Sequence, residues 1–98
     1  MNRGHARHRR MDVTRAQLRR AFALTIRNLR REKGIAQEQL ALSSGLDRSF
    51  MGRIERGIHA PTIWTIYKLL PAFGISYRCF ARRYEEALAI IMSRDAKR

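Results

Sequence analysis

The stretch from Gln37 to Gly57 leaves few folds open, because its inner positions are matched to one another in size and spacing. Counting from Gln37, the fifth residue is Ala41, the ninth Gly45, the fifteenth Met51 and the eighteenth Ile54, with Leu40 and Leu46 in two further apolar slots. A short helix over 37–43 turns Leu40, Ala41 and Ser44 inward, and Gly45 ends it by taking the positive φ of a left-handed cap. Asp47 then offers its carboxylate to the free N–H groups of a second short helix over 48–55, with Met51 and Ile54 as its buried pair and Gly57 closing it. Ala41 has to be small because the two helices cross beside it, and Met51 and Ile54 lock the second helix onto the first.

Longer helices flank this pair. Thr14 and Gln17 form a capping box with Val13 and Leu18 at the staple positions, and Leu18, Phe22, Ile26 and Leu29 then share one face of a helix over 15–33 that Gly34 closes. Pro61 and Thr62 open a fourth helix with Ile63, Ile66, Leu69, Leu70 and Phe73 inward, closing at Gly74. Pro71 cannot donate to the Tyr67 carbonyl, so a bend or an early stop is expected there. Ser76 caps a fifth helix reaching about Met92, along which Tyr77, Phe80, Tyr84, Ala87 and Ile91 recur at helical spacing with Leu88 alongside. The expected class is all-α.

Twenty-one Lys and Arg against eight Asp and Glu leave a net charge of +13, the mark of a chain that seeks polyanions. Residues 14–33 carry seven basic side chains against Glu32 alone, whereas residues 34–60 balance Glu38, Asp47 and Glu55 with Arg48, Arg53 and Arg56. Residues 1–13 read as a flexible basic arm, 14–75 as the helical domain and 76–98 as a C-terminal helix; Met11 is an alternative start that would remove the arm. The N-terminal arginines precede no apolar leader segment, no stretch is long enough to span a membrane, and the lone Cys79 suits a reducing compartment, so a cytoplasmic protein without a membrane partner is expected. His5 and His8 lack the Cys or carboxylate neighbours of a metal site. With no Cys–His, paired-carboxylate or phosphate-loop constellation, neither an enzyme nor a cofactor is expected.

A short helix, a glycine-bearing turn and a second short helix, sandwiched between longer helices in a basic chain, is what a helix-turn-helix requires. The residues from Ile26 through Ala41, the run Gly45-Leu-Asp-Arg-Ser-Phe-Met-Gly-Arg-Ile-Glu-Arg-Gly57 and Pro61 beyond it resemble the Cro/repressor-type, or XRE-like, helix-turn-helix transcriptional regulators over roughly residues 22–75. The resemblance implies a five-helix lambda-repressor-like DNA-binding domain, here with an extended C-terminal helix. Three positions depart from the family pattern. Ala36 replaces the usual Ser or Thr cap, weakening that helix start by roughly 1 kcal/mol; Ser44 stands in an apolar slot, and Pro71 interrupts the fourth helix.

The same resemblance implies that the helix after the turn enters the major groove of double-stranded DNA, with Arg48, Ser49, Phe50 and Arg53 toward the bases. Arg48 is suited to bidentate contact with guanine, and Phe50 to a thymine methyl or a sugar. Gln37, Arg56 and His59 match positions that touch the sugar-phosphate backbone. Arg30 and Glu55 match a structural ion pair joining the first helix to the third. Because the distal C-terminal helix has little left to cover in so short a chain, Phe80, Tyr84, Leu88 and Ile91 are expected to form a homodimer interface, which would let the protein read a palindromic operator. Contact with RNA polymerase is compatible with this reading. The alternative is an antitoxin that autoregulates through the same domain and binds a toxin protein through its C-terminal helix.

Overall fold

The computed structural model describes residues 12–97. Most of the expected arm, with His5, His8 and Met11, lies outside the described residues. Five helices follow in order: α1 (Arg15–Lys33), α2 (Gln37–Ser44), α3 (Arg48–Glu55), α4 (Ile63–Phe73) and α5 (Tyr77–Ala96).

Local chemistry sets nearly every boundary. Thr14 Oγ1 accepts from the Gln17 amide and Gln17 Oε1 from the Thr14 amide, both at 3.0 Å, completing the capping box of α1. Asp47, Thr62 and Ser76 accept in the same way from the first turns of α3, α4 and α5. Ala36 makes no such bond, so α2 begins without a side-chain cap. Gly45 sits at φ 68° between α2 and α3, the conformation the tight turn needs. Helix α4 neither stops early nor leaves the helical path at Pro71: it continues to Phe73. The proline lies in its last turn, where the only donor lost is the one Tyr67 would have received, and Tyr67 is exposed, so water can reach its carbonyl.

The core gathers Phe22, Ile26, Leu40, Met51, Ile54, Leu69, Phe73 and Phe80 from all five helices. Phe22 and Phe80 meet with ring centroids 5.4 Å apart, and Tyr84 stands edge-on to Phe22 at 5.8 Å. Ser44 is buried in its apolar slot, and its hydroxyl has no hydrogen-bond partner among the described residues. Ser44→Ala therefore removes a desolvated, unsatisfied group at little packing cost, and is expected to stabilise the fold by about 1 kcal/mol. A urea midpoint that rises with an unchanged slope would show it; a lower midpoint would mean that the hydroxyl is satisfied.

Helix α5 runs past the expected Met92 to Ala96, and α1 accounts for its length. Asp95 accepts from Arg20 Nη1 at 2.8 Å and Nη2 at 3.1 Å, Tyr84 Oη donates to the Leu18 carbonyl at 3.1 Å, and Arg83 Nη2 reaches Glu32 Oε2 at 2.6 Å. The Arg83 guanidinium holds the Glu32 carboxyl below its ordinary range. The stabilisation from that bridge is present above the usual carboxylate pKa and is lost as the pH falls through the lowered one. Between these polar contacts, Ala87 and Ile91 pack on Ala21 in a second small cluster.

This arrangement corrects the argument for a dimer through Phe80, Tyr84, Leu88 and Ile91. Phe80 is 1% and Ile91 5% exposed, while Tyr84 and Leu88 are half-buried against the same α1 surface. The alanines at 21 and 87 let α5 lie close to α1 along its whole length, so the residues reserved for a second copy find their partners within the chain. Ile63, expected to face inward, is instead exposed, as is Tyr77 at the start of α5.

Candidate nucleic-acid interface

The turn between α2 and α3 presents the first turn of α3 to solvent, because Met51 and Ile54 point into the core and Arg48 and Ser49 must then point away. Gln37 from the start of α2, Arg48, Ser49 and Arg53 from α3, and Arg56 just beyond it line one shallow concavity. Five of the seven residues expected at bases or phosphates are thus brought together. Gly52 at its centre is buried, and a Cβ there would come within 3.3 Å of an Arg56 side-chain nitrogen, so its bareness keeps the surface tight.

Arg48 stands 3.4 Å from Glu38, with the two side chains 72% and 69% exposed. Such a pair holds weakly in water and yields readily to a better acceptor. Phe50 departs from its expected outward placement: it is half-buried against the core, with the His59 ring edge-on to it at 4.7 Å and the Arg53 guanidinium 5.8 Å from its ring centre. Phe50 and His59 therefore brace the loop after α3 at the margin of the concavity.

Behind this surface, Arg30 forks onto Glu55, Nε to Oε2 at 2.7 Å and Nη2 to Oε1 at 3.0 Å, while its third arm donates to the Ile35 carbonyl at 2.9 Å. Gln37 Nε2 donates to the same Glu55 carboxylate at 3.1 Å, so one buried anion ties α1, α2 and α3 together. Two further arginines of α1 escaped the sequence reading. Arg27 Nη1 donates to the Glu55 carbonyl at 2.6 Å and Arg19 Nε to the Gly57 carbonyl at 3.2 Å, satisfying the end of α3. The eight-residue interval between Arg19 and Arg27, about two turns of helix, is the signal that would have placed a basic stripe on this flank.

A second exposed surface lies on α4 and the start of α5. Tyr67 and Tyr77 stack nearly parallel at 5.6 Å, Trp64 is 64% exposed with Lys68 Nζ 5.0 Å from its ring centre, and Ile63 adjoins them. Apolar and aromatic area of this kind, collected in one place rather than scattered, marks a contact surface.

The family profile described as helix-turn-helix matches residues 26–78. The uncharacterized HTH-type transcriptional regulator y4dJ of Sinorhizobium fredii is 37% identical over 60 residues, covering 61% of this chain and 78% of its own. HTH-type transcriptional regulator SutR of Escherichia coli is 29% identical over 63 residues, which are 64% of this chain and 35% of the longer relative. Among solved structures, the restriction-modification controller protein C.Esp1396I, as a tetramer on its natural 35 base-pair operator, superposes with a TM-score of 0.68 at 29% identity, over 74% of this chain and 95% of its own. The clp gene regulator ClgR of Corynebacterium glutamicum shares the fold, with a TM-score of 0.73 over 81% of this chain and 84% of its own at 22% identity. Among the described residues, no helix is long and apolar enough to cross a membrane.

Proposed function

This chain belongs to the XRE-type helix-turn-helix family of transcriptional regulators, with an all-α, lambda-repressor-like fold, and from that premise we propose that it binds a palindromic DNA operator as a homodimer, setting α3 of each copy into the major groove. The observation that carries this reading is the convergence of Gln37, Arg48, Ser49, Arg53 and Arg56 on one open surface whose centre is the first turn of α3. Arg48 and Arg53 supply forked donors for guanine O6 and N7, Gln37 and Arg56 supply backbone contacts, and the N–H groups at the start of α2, uncapped by any side chain, are further donors for a phosphate. The protein acts in the cytoplasm.

Arg48→Ala is expected to remove about 1–3 kcal/mol of discrimination at one base pair of each half-site while leaving non-specific affinity nearly intact. Selection of bound sequences from a random pool reads this directly. An unchanged motif after the substitution would sink the assignment of Arg48 to a base.

The second copy docks through Ile63, Trp64, Tyr67 and Tyr77 rather than through the buried face of α5. These residues are exposed, aromatic-rich and carried on two rigid helices, and a protein of net charge +13 dimerises most cheaply where apolar area outweighs charge. Structural relatives solved as assemblies on an operator support a multimeric form. Trp64→Asp places an unpaired carboxylate in that surface, so sedimentation at micromolar concentration should show a two-chain species become a single chain. An unaltered sedimentation coefficient would move the interface elsewhere.

A further inference from the structure

We propose that the cleft lined by Arg20, Arg27, Arg56 and Arg94 is a phosphate-binding site, separate from the surface that faces the bases. The cleft has a volume of about 230 Å³ and lies where the middle of α1, the end of α3 and the end of α5 come together. Its floor is apolar, formed by Ala23 and Ile91, which are 2% and 5% exposed. An apolar floor raises the strength of any charge interaction above it.

Two of the guanidinium groups are held in place by the protein. Arg20 is fixed by its two bonds to Asp95, and Arg27 by its bond to the Glu55 carbonyl. The side chains of Arg56 and Arg94 have no hydrogen-bond acceptor among the described residues. Four like charges around one small concavity repel one another, and Asp95 nearby is already engaged by Arg20 and Gln17. An anion with several acceptor oxygens relieves that repulsion by serving more than one fork at once, and a tetrahedral phosphate group does so better than a planar carboxylate. Arg56 lines both this cleft and the concavity at α3, so the two are continuous. The phosphate can therefore come from a DNA strand running past the bases that α3 reads, or from a free phosphorylated compound that competes with DNA for Arg56.

Two variants of the full chain test the site, and neither touches the base-facing residues. Pyrophosphate titrated by calorimetry is the first probe: Arg94→Gln should weaken its binding about tenfold, and Asp95→Asn should strengthen it by unmasking Arg20. Opposite responses to the two variants support the site, whereas weakening by both marks damage to the end of α5 and overturns it. The second probe is a random-sequence DNA duplex, for which the slope of log affinity against log salt should fall by about 0.9 in Arg94→Gln if a backbone phosphate fills the cleft. A pyrophosphate response with an unchanged slope assigns the site to a free phosphate compound; a changed slope assigns it to DNA. If neither probe responds, the proposal is wrong. Because both probes are blind to sequence, a failure of Arg48 to read a base leaves this result standing.

Discussion

Arg30→Ala is expected to destabilise the fold by about 3 kcal/mol, because it leaves the Glu55 carboxylate buried without its countercharge. The two side chains are 17% and 4% exposed, and the fork that joins them is short at both contacts. After the substitution, only the Gln37 amide and whatever water enters would face the carboxylate. Arg30→Lys restores the charge but not the planar fork or the bond to the Ile35 carbonyl, and should recover about half of the loss. Urea unfolding monitored by circular dichroism measures both. Equal stability of the alanine and parent chains would mean that the fork from Arg30 to Glu55 contributes nothing to the fold.

The placement of this anion explains why the neutral middle of the chain can belong to a polyanion-binding protein. Glu55 is spent on fixing α3 against α1 and α2, Asp47 on capping α3, and Glu38 on a loose contact with Arg48 that water already weakens. Glu55 is buried, and at the concavity Asp47 is outnumbered by Arg48, Arg53 and Arg56. The excess positive charge sits on α1 and beyond, where Arg19 and Arg27 hold the end of α3 while Arg20 and Arg94 border the flanking cleft. General attraction and the aiming of α3 thus share the same arginine-rich helix.

What could be read from the chain alone was the part governed by neighbours in sequence. The capping box at Thr14, the caps at Asp47 and Ser76 and the turn glycine at 45 depend on residues within four positions of one another, and each stands where its side-chain chemistry put it. The five helices and the inward pairs Leu40/Ala41 and Met51/Ile54 follow from the same local spacing. The family profile covers residues 26–78, from the second half of α1 to the start of α5. Misplaced residues were those whose environment depends on a distant element. A helical stripe says that one face is buried but not against what, so Phe80, Tyr84 and Ile91 read as an interface for a second chain although Ala21 makes room for α5 on α1. Ile63 and Phe50 failed for the mirror reason: the loop between α3 and α4 sets both environments, since it leads into Ile63 and carries His59 to Phe50. The arginines that satisfy the end of α3 were unmarked because a surface basic residue and one that caps a distant carbonyl look alike in sequence.

Phe80→Ala settles which chain the C-terminal helix serves. Its ring is 1% exposed and packs against both Phe22 and Tyr84, so truncation removes a buried aromatic and its ring contacts, at a cost of roughly 3–5 kcal/mol. If that burial is internal, the loss is the same at every protein concentration, because the substitution leaves the association equilibrium untouched. If Phe80 instead packed against a second copy, the loss would shrink toward zero as the protein is diluted below the dissociation constant of the dimer, where neither chain is paired. Ile91→Ala extends the same test to the distal half of α5, where Ala21 and Ala87 are its neighbours. Thermal unfolding over a hundredfold range of concentration separates the two cases, with Trp64→Asp as the contrasting variant. That substitution should abolish the concentration dependence of the parent chain, because Trp64 lies outside the monomer core, while Phe80→Ala should lower the whole curve and leave its concentration dependence intact.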